Sequence, residues 1–271
     1  MFRFHRSLPY TLMLLVCGAF LGSPAGAATI DISHSGDSTT VNGALIRTSN
    51  VDVSGEGQFV TFVRIEGHNN DTDDNANTEK GYNTSGRISG DAPFDDVSNA
   101  TFTHNLQMSQ VAVVTVGATT YYQFFLDINE QQPNGNGGRI SLTDLQIYTS
   151  PIGSQTTTSI GSLGTLRYTL GTTDLLLHQL SSGGGRADYE FLIPISNFAG
   201  ALSSDFLYLY YDMGSSLGFN GDEASSGFDG FAIKQANVPT PGSTIPLPGT
   251  VWMGLVLMGG IAARRGRRIF C

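Results

Sequence analysis

Between Gly57 and Asp212 the chain is a succession of short runs rich in Val, Ile, Thr, Tyr and Phe, cut apart by clusters of Gly, Asn, Ser and Asp. β-Branched and aromatic side chains suit a pleated, half-buried surface, and the intervening clusters supply turns, so the pattern predicts strands. They are expected over 57–65, 110–116, 120–128, 140–148, 163–170, 188–193 and 205–212. Before the C-terminal tail, no window keeps a convincing helical period. In the last of these strands Phe206, Tyr208 and Tyr210 share one face, and Leu207, Leu209 and Tyr211 share the other. Both faces are apolar or aromatic, which places this strand inside a sheet covered on both sides. The expected fold is all-β, an antiparallel β-sandwich of jelly-roll type.

The two ends follow different rules. Arg3 and Arg6 precede an apolar run from Tyr10 to Leu21, and the small residues Ala25 and Ala27 close the segment. Cations that stay behind, a core that inserts and small side chains at the cut describe a secretory signal peptide over residues 1–27, with cleavage after Ala27. At the other end, Pro246-Leu247-Pro248 leads into an uncharged apolar stretch over 249–263, with Trp252 near its start, and then into Arg264, Arg265, Arg267 and Arg268 over 264–271. Arginines remain on the cytoplasmic side, so everything before Pro248 is expected outside, in agreement with the signal peptide. The stretch is short for a membrane helix, which takes roughly twenty residues, and suits a transient anchor.

Pro246-Leu247-Pro248, Trp252 and the four arginines together resemble the PEP-CTERM sorting signal of Gram-negative bacteria, in its Pro-Leu-Pro form. The resemblance covers about the last thirty residues. It implies processing by a membrane-embedded exosortase. It also implies a place at the cell surface or in an extracellular matrix, associated with exopolysaccharide and biofilm.

Residues 28–237 are then the exported domain, and 238–248 a stiff Pro/Gly linker with the sorting motif. Of the 14 Lys and Arg, six lie in the two ends, leaving eight against all 23 Asp and Glu. So acidic a domain, its few cations scattered, is not a nucleic-acid partner. Cys17 and Cys271 also lie in the ends, so the domain has no disulfide and no thiolate ligand.

Three acidic groups stand out. Asp71, Asp73, Asn75, Asn77 and Glu79 place oxygen ligands at every second residue, as an EF-hand loop opens. Ala76 and Tyr82 depart from that motif, so the segment reads either as a solvated acidic loop or as an irregular Ca²⁺ site. Asp212, Asn220, Asp222, Glu223 and Asp229 form a second group among glycines, and Asp127, Asn129 and Glu130 a third. Gly214-Ser215-Ser216-Leu217-Gly218 matches G-x-S-x-G, but no helix is expected after it. The histidines His34, His68, His104 and His178 have no ligand spacing. No catalytic residues are expected. The leading expectation is a structural or adhesive surface protein. The alternative is a Ca²⁺-assisted lectin-like module that offers loop carboxylates and the aromatics Tyr82, Tyr121 or Tyr122 to polysaccharide, with a polysaccharide-active enzyme third.

Overall fold

A computed structural model describes residues 28–49, 51, 59–66, 78–86, 93–97, 99–130, 138–181, 185–214, 224 and 227–234. The first strands among these are β1 (Ala28–Asp31), β2 (Ser38–Val41), β3 (Ala44–Thr48), β4 (Phe59–Glu66), β5 (Thr78–Tyr82), β6 (Leu106–Gln107) and β7 (Val113–Val116). They continue with β8 (Thr119–Asp127), β9 (Arg139–Ser150), β10 (Thr165–Thr169), β11 (Thr173–His178), β12 (Tyr189–Pro194), β13 (Phe206–Gly214) and β14 (Phe228–Lys234). The helical pieces among the described residues are single 3₁₀ turns, such as Met108–Gln110. No helix among these residues is long and apolar enough to cross a membrane. The expected span at 249–263 lies outside them, as do the signal peptide and the sorting motif.

The strands form two sheets. The first runs β1-β11-β9-β13-β5, with β10 also on β9 and β6 on β13; the second runs β2-β3-β12-β8-β14-β4, with β7 also on β8. Pairing is antiparallel except for β1 on β11, which is parallel. One apolar layer joins the sheets. Leu142, Leu175, Leu207, Leu209 and Tyr211 from the first meet Ile46, Phe62, Phe124, Phe191 and Phe231 from the second. Tyr211 and Phe231 touch edge to face across that layer, ring centroids 5.0 Å apart.

β13 is an internal strand of its sheet, flanked by β9 and β5, as its two apolar faces predict. Leu207, Leu209, Tyr211 and Met213 enter the main core. Tyr208 and Tyr210, on the other face, enter a second cluster with Tyr82, Phe94, Tyr148 and Leu163. A Ser-, Thr- and Gly-rich stretch over 151–164 connects β9 to β10, and these two strands pair with each other. It is the connection of a long hairpin, whose residues help to cover the second cluster: Gln155 and Thr157 accept hydrogen bonds from the Tyr82 hydroxyl at 3.2 and 2.9 Å.

Candidate functional site

Alternation along a strand assigns each side chain to a face, and at two positions it sends a carboxylate inward. On β14, Asp229 shares a face with Phe231 and Ile233, and its partner on β4 is the core residue Ile65. On β5, Glu79 sits opposite Met213 of β13, also a core residue. Glu130 arrives from the segment that leaves β8, a strand that neighbours β14. All three side chains are buried, and one ligand atom from each lies within 4.8 Å of the others. The triad therefore sits between the sheets, with Glu79 from the first and Glu130 and Asp229 from the second side.

Its surroundings hold the geometry. Asp229 Oδ1 accepts the Asn129 N–H at 2.7 Å, which fixes the turn into Glu130. The Asp229 carbonyl accepts the Tyr211 hydroxyl at 2.9 Å, a bond from one sheet to the other. Gly227 approaches so closely that a Cβ there would lie 1.7 Å from the Asn129 carbonyl oxygen. Burial, followed by the charge of Glu130, pushes the Asp229 carboxyl well above the usual carboxylate range. Burial also raises the Tyr211 hydroxyl, with the Glu79 and Asp229 charges adding to it. Three carboxylates removed from water and pressed together cannot all stay charged without compensation, whether by protons or by a cation.

Beside this cluster, on the far side of Asn129, a cleft of about 560 Å³ opens among Phe59, Arg64, Phe102, Asp127, Asn129 and Phe228. The Arg64 guanidinium lies 3.6 Å from the Phe102 ring centroid and 5.2 Å from that of Phe228, a cation–π sandwich. Burial raises the Asp127 carboxyl to about 6, against the Gly185 N–H at 2.5 Å and the Arg64 charge, which both lower it.

The structure thus takes one member from each of the three acidic groups that stand out in the sequence. Glu79 is not on an exposed loop: it belongs to a strand and is fully buried. Its expected co-ligands Asp71, Asp73, Asn75 and Asn77 lie outside the described residues, as do Asn220, Asp222, Glu223 and Ser215 to Gly218. Asp212, on the outer face of β13, pairs in register with Lys80 and Asp144 rather than joining the triad. Two of the tyrosines that the lectin-like alternative would offer to a ligand are packed within the fold, as residues of apolar strands are. Tyr82 is buried in the second cluster, and Tyr122 packs edge to face on Phe198, with ring centroids 4.8 Å apart. The aromatics that do line the cleft are phenylalanines, none of them singled out by the sequence. Their signal is faint: Phe228 is an exposed residue just before inward-facing Asp229.

Two sheets around one apolar layer, with a buried acidic triad at their junction and an aromatic cleft beside it, define an all-β domain with a candidate binding end. In comparisons with family models, curated proteins and solved structures, nothing matches the chain.

Proposed function

We propose that the chain is an exported surface or extracellular-matrix protein, a jelly-roll-like β-sandwich delivered by its signal peptide and processed through its Pro-Leu-Pro, apolar-helix and arginine tail. The observation that carries this reading is the sequence of the two ends: Arg3 and Arg6 before an apolar run closed by Ala25 and Ala27, and Pro246-Leu247-Pro248 before an apolar stretch and four arginines. Ala28, the residue after the proposed cut, belongs to β1, and its N–H donates to the Thr172 carbonyl at 3.1 Å. The last described strand ends at Lys234, shortly before the Pro-rich linker. Immunoblots of cell fractions test the proposal. The wild-type chain should appear trimmed at both ends and outside the cytoplasm. A chain lacking 246–271 should be exported but lose its surface retention. An untrimmed cytoplasmic product overturns the reading.

The cleft favours a second role for the same domain, glycan binding. Aromatic faces take the apolar side of a sugar ring, while Arg64, Asp127 and Asn129 offer the donors and acceptors that orient its hydroxyls. Calorimetry with oligosaccharides cut from the host's exopolysaccharide should give heat with the wild type and none with Phe102→Ala. Equal heat from both, or none from either, removes this role.

A further inference from the structure

We infer that Glu79, Glu130 and Asp229 form a buried site for a hard divalent cation, Ca²⁺ in an exported protein, that fastens the two sheets together. The cation site stands on the folded chain alone; only the choice of Ca²⁺ among hard divalent ions rests on the proposed export, and neither depends on glycan binding.

The first argument is geometric. Oxygen ligands of Ca²⁺ sit about 2.3–2.6 Å from the ion, so no two of them lie further apart than about 5 Å. One oxygen from each of Glu79, Glu130 and Asp229 meets that condition, all within 4.8 Å of one another. The donors are all carboxylate oxygens, the set that suits Ca²⁺, Mg²⁺ or Mn²⁺ and not a soft metal. They come from β5, from the segment after β8 and from β14, so an ion here bridges three segments rather than decorating one loop.

The second argument is a vacant acceptor. Asp229 is fully buried; its Oδ1 is taken by the Asn129 N–H, while Oδ2 meets no N–H or hydroxyl donor, and this carboxyl group's other polar contacts are the carboxyl groups of Glu79 and Glu130. A buried carboxylate oxygen without a donor is costly unless something positive fills the place. The Arg64 guanidinium is turned toward Phe102 and Phe228 in the cleft. Tyr211 gives its hydroxyl to the Asp229 carbonyl and not to the carboxylate. A divalent ion would cancel most of the charge and leave a residue near −1.

Protons are the rival. Two protons shared among three carboxyl groups would also quiet the cluster, and the two cases separate in a direct measurement. The full chain, purified in mild detergent and stripped with EDTA, is titrated with CaCl₂ by calorimetry and with Tb³⁺ by luminescence, excited through tyrosine. Tyr211 lies next to the site and should sensitise the lanthanide. A cation site gives a single saturable event, Tb³⁺ emission that excess Ca²⁺ quenches, and a melting temperature that climbs with Ca²⁺ concentration as mass action requires. Glu130→Gln and Asp229→Asn, which keep size and remove charge, should each lower Ca²⁺ affinity roughly tenfold or more and abolish the Ca²⁺-dependent rise in melting temperature. If a variant fails to fold, the wild-type melts in EDTA and in Ca²⁺ still decide. Binding that survives in both folded variants places the ion elsewhere and overturns the assignment. So does a wild-type chain whose melting temperature ignores Ca²⁺ and which gives no Tb³⁺ emission at neutral pH, because protons then hold the triad.

Discussion

Asp188 collects three backbone N–H groups on one buried carboxyl: Ile128 on Oδ2, and Leu180 and Ser181 on Oδ1, each at 2.8 Å. It ties the exit of β8 to the chain leaving β11. Burial still wins over those three bonds and raises the carboxyl to about 7, with the nearby Asp127 charge adding to the shift. The ordinary value of 3.8 applies to the unfolded chain. Between these pH values the unfolded chain has released the proton and the folded chain holds it, so stability falls as pH rises. Below the window both states are protonated, and above it both are ionised, so the slope vanishes on either side. Asp127, raised to about 6, adds a slope of the same sign. Urea unfolding at a series of pH values, with chelator present, should show stability declining from about pH 4 to pH 7. Asp188→Asn should flatten the upper part of that decline. The change should also cost about 1–3 kcal/mol, because its amide must set N–H against the Ile128 N–H. Gly227 is the second residue whose replacement is informative. A methyl group cannot share space with the Asn129 carbonyl, so Gly227→Ala must push the 129–130 segment away from the triad. Overpacking of this kind costs about 1–3 kcal/mol, and the variant should melt lower and bind Tb³⁺ more weakly than the wild type. Unchanged melting and emission would mean that the segment yields freely and does not shape the site.

At the scale of elements, the strands with the strongest apolar alternation are legible in the sequence. β4, β8, β9, β12 and β13 fall within a few residues of their expected positions, because each buries at least one continuous apolar face. β5 was not legible. Its sequence TEKGY ends an acidic stretch, and it becomes a strand by pairing its backbone with β13 rather than by its own propensity. β11 presents Asp174-Leu175-Leu176-Leu177, a buried apolar run too short to distinguish strand from helix. β2 and β3 carried a readable sign, the Asn42-Gly43 pair, but their flanking runs STTV and ALIRT are short and partly polar. In the structure that pair is the two-residue hairpin turn, with φ of 48° at Asn42 and 85° at Gly43, as a type I′ turn requires. The Asn42 amide also donates to the carbonyls of Thr169 at 2.8 Å and Leu170 at 3.3 Å, joining a hairpin of one sheet to β10 of the other. Gly43→Ala should therefore lose about 1–2 kcal/mol through its left-handed backbone. Asn42→Gly should relieve the backbone and lose only the bridging bonds, about 1 kcal/mol. Chemical denaturation that ranks the two variants in the reverse order would locate the value of this turn in the bridge instead.

The same logic explains why the triad was only half visible. Glu79, Glu130 and Asp229 belong to groups that an acidic chain could scatter over its surface, and sequence spacing does not say which carboxylates meet. The parity of Asp229 with Phe231 and Ile233 was the available clue, since a charged residue on the apolar face of a strand needs a partner. Its significance appears only when β5 of the other sheet delivers Glu79 to the same place.

At the scale of the whole molecule, connectivity sets how load would pass through the domain. β14, the last described strand, is held on both flanks: by β4 from Phe228 to Lys234 and by β8 from Gly230 to Ile233. The proposed sorting tail follows it in the chain, so a protein retained by such a tail would carry force along β14. The opposite end is weaker, because among the described residues β1 is an edge strand paired with β11 alone, over Ala28 to Asp31. Near its start β14 carries Asp229, and a cation shared with Glu79 would couple the pulled strand to the second sheet. Single-molecule extension between the two ends of the domain should therefore release β1 first and at low force, with the principal barrier at β14. Forced rupture reports the unfolding rate rather than the equilibrium, so an added bridge that must break before β14 slides raises the rupture force directly. Ca²⁺ should shift the principal peak upward in the wild type, EDTA should remove the shift, and Asp229→Asn should show the lower force in both solutions. If the principal peak ignores Ca²⁺ while calorimetry still detects the ion, the cation orders the Asn129–Glu130 segment without carrying load between the sheets.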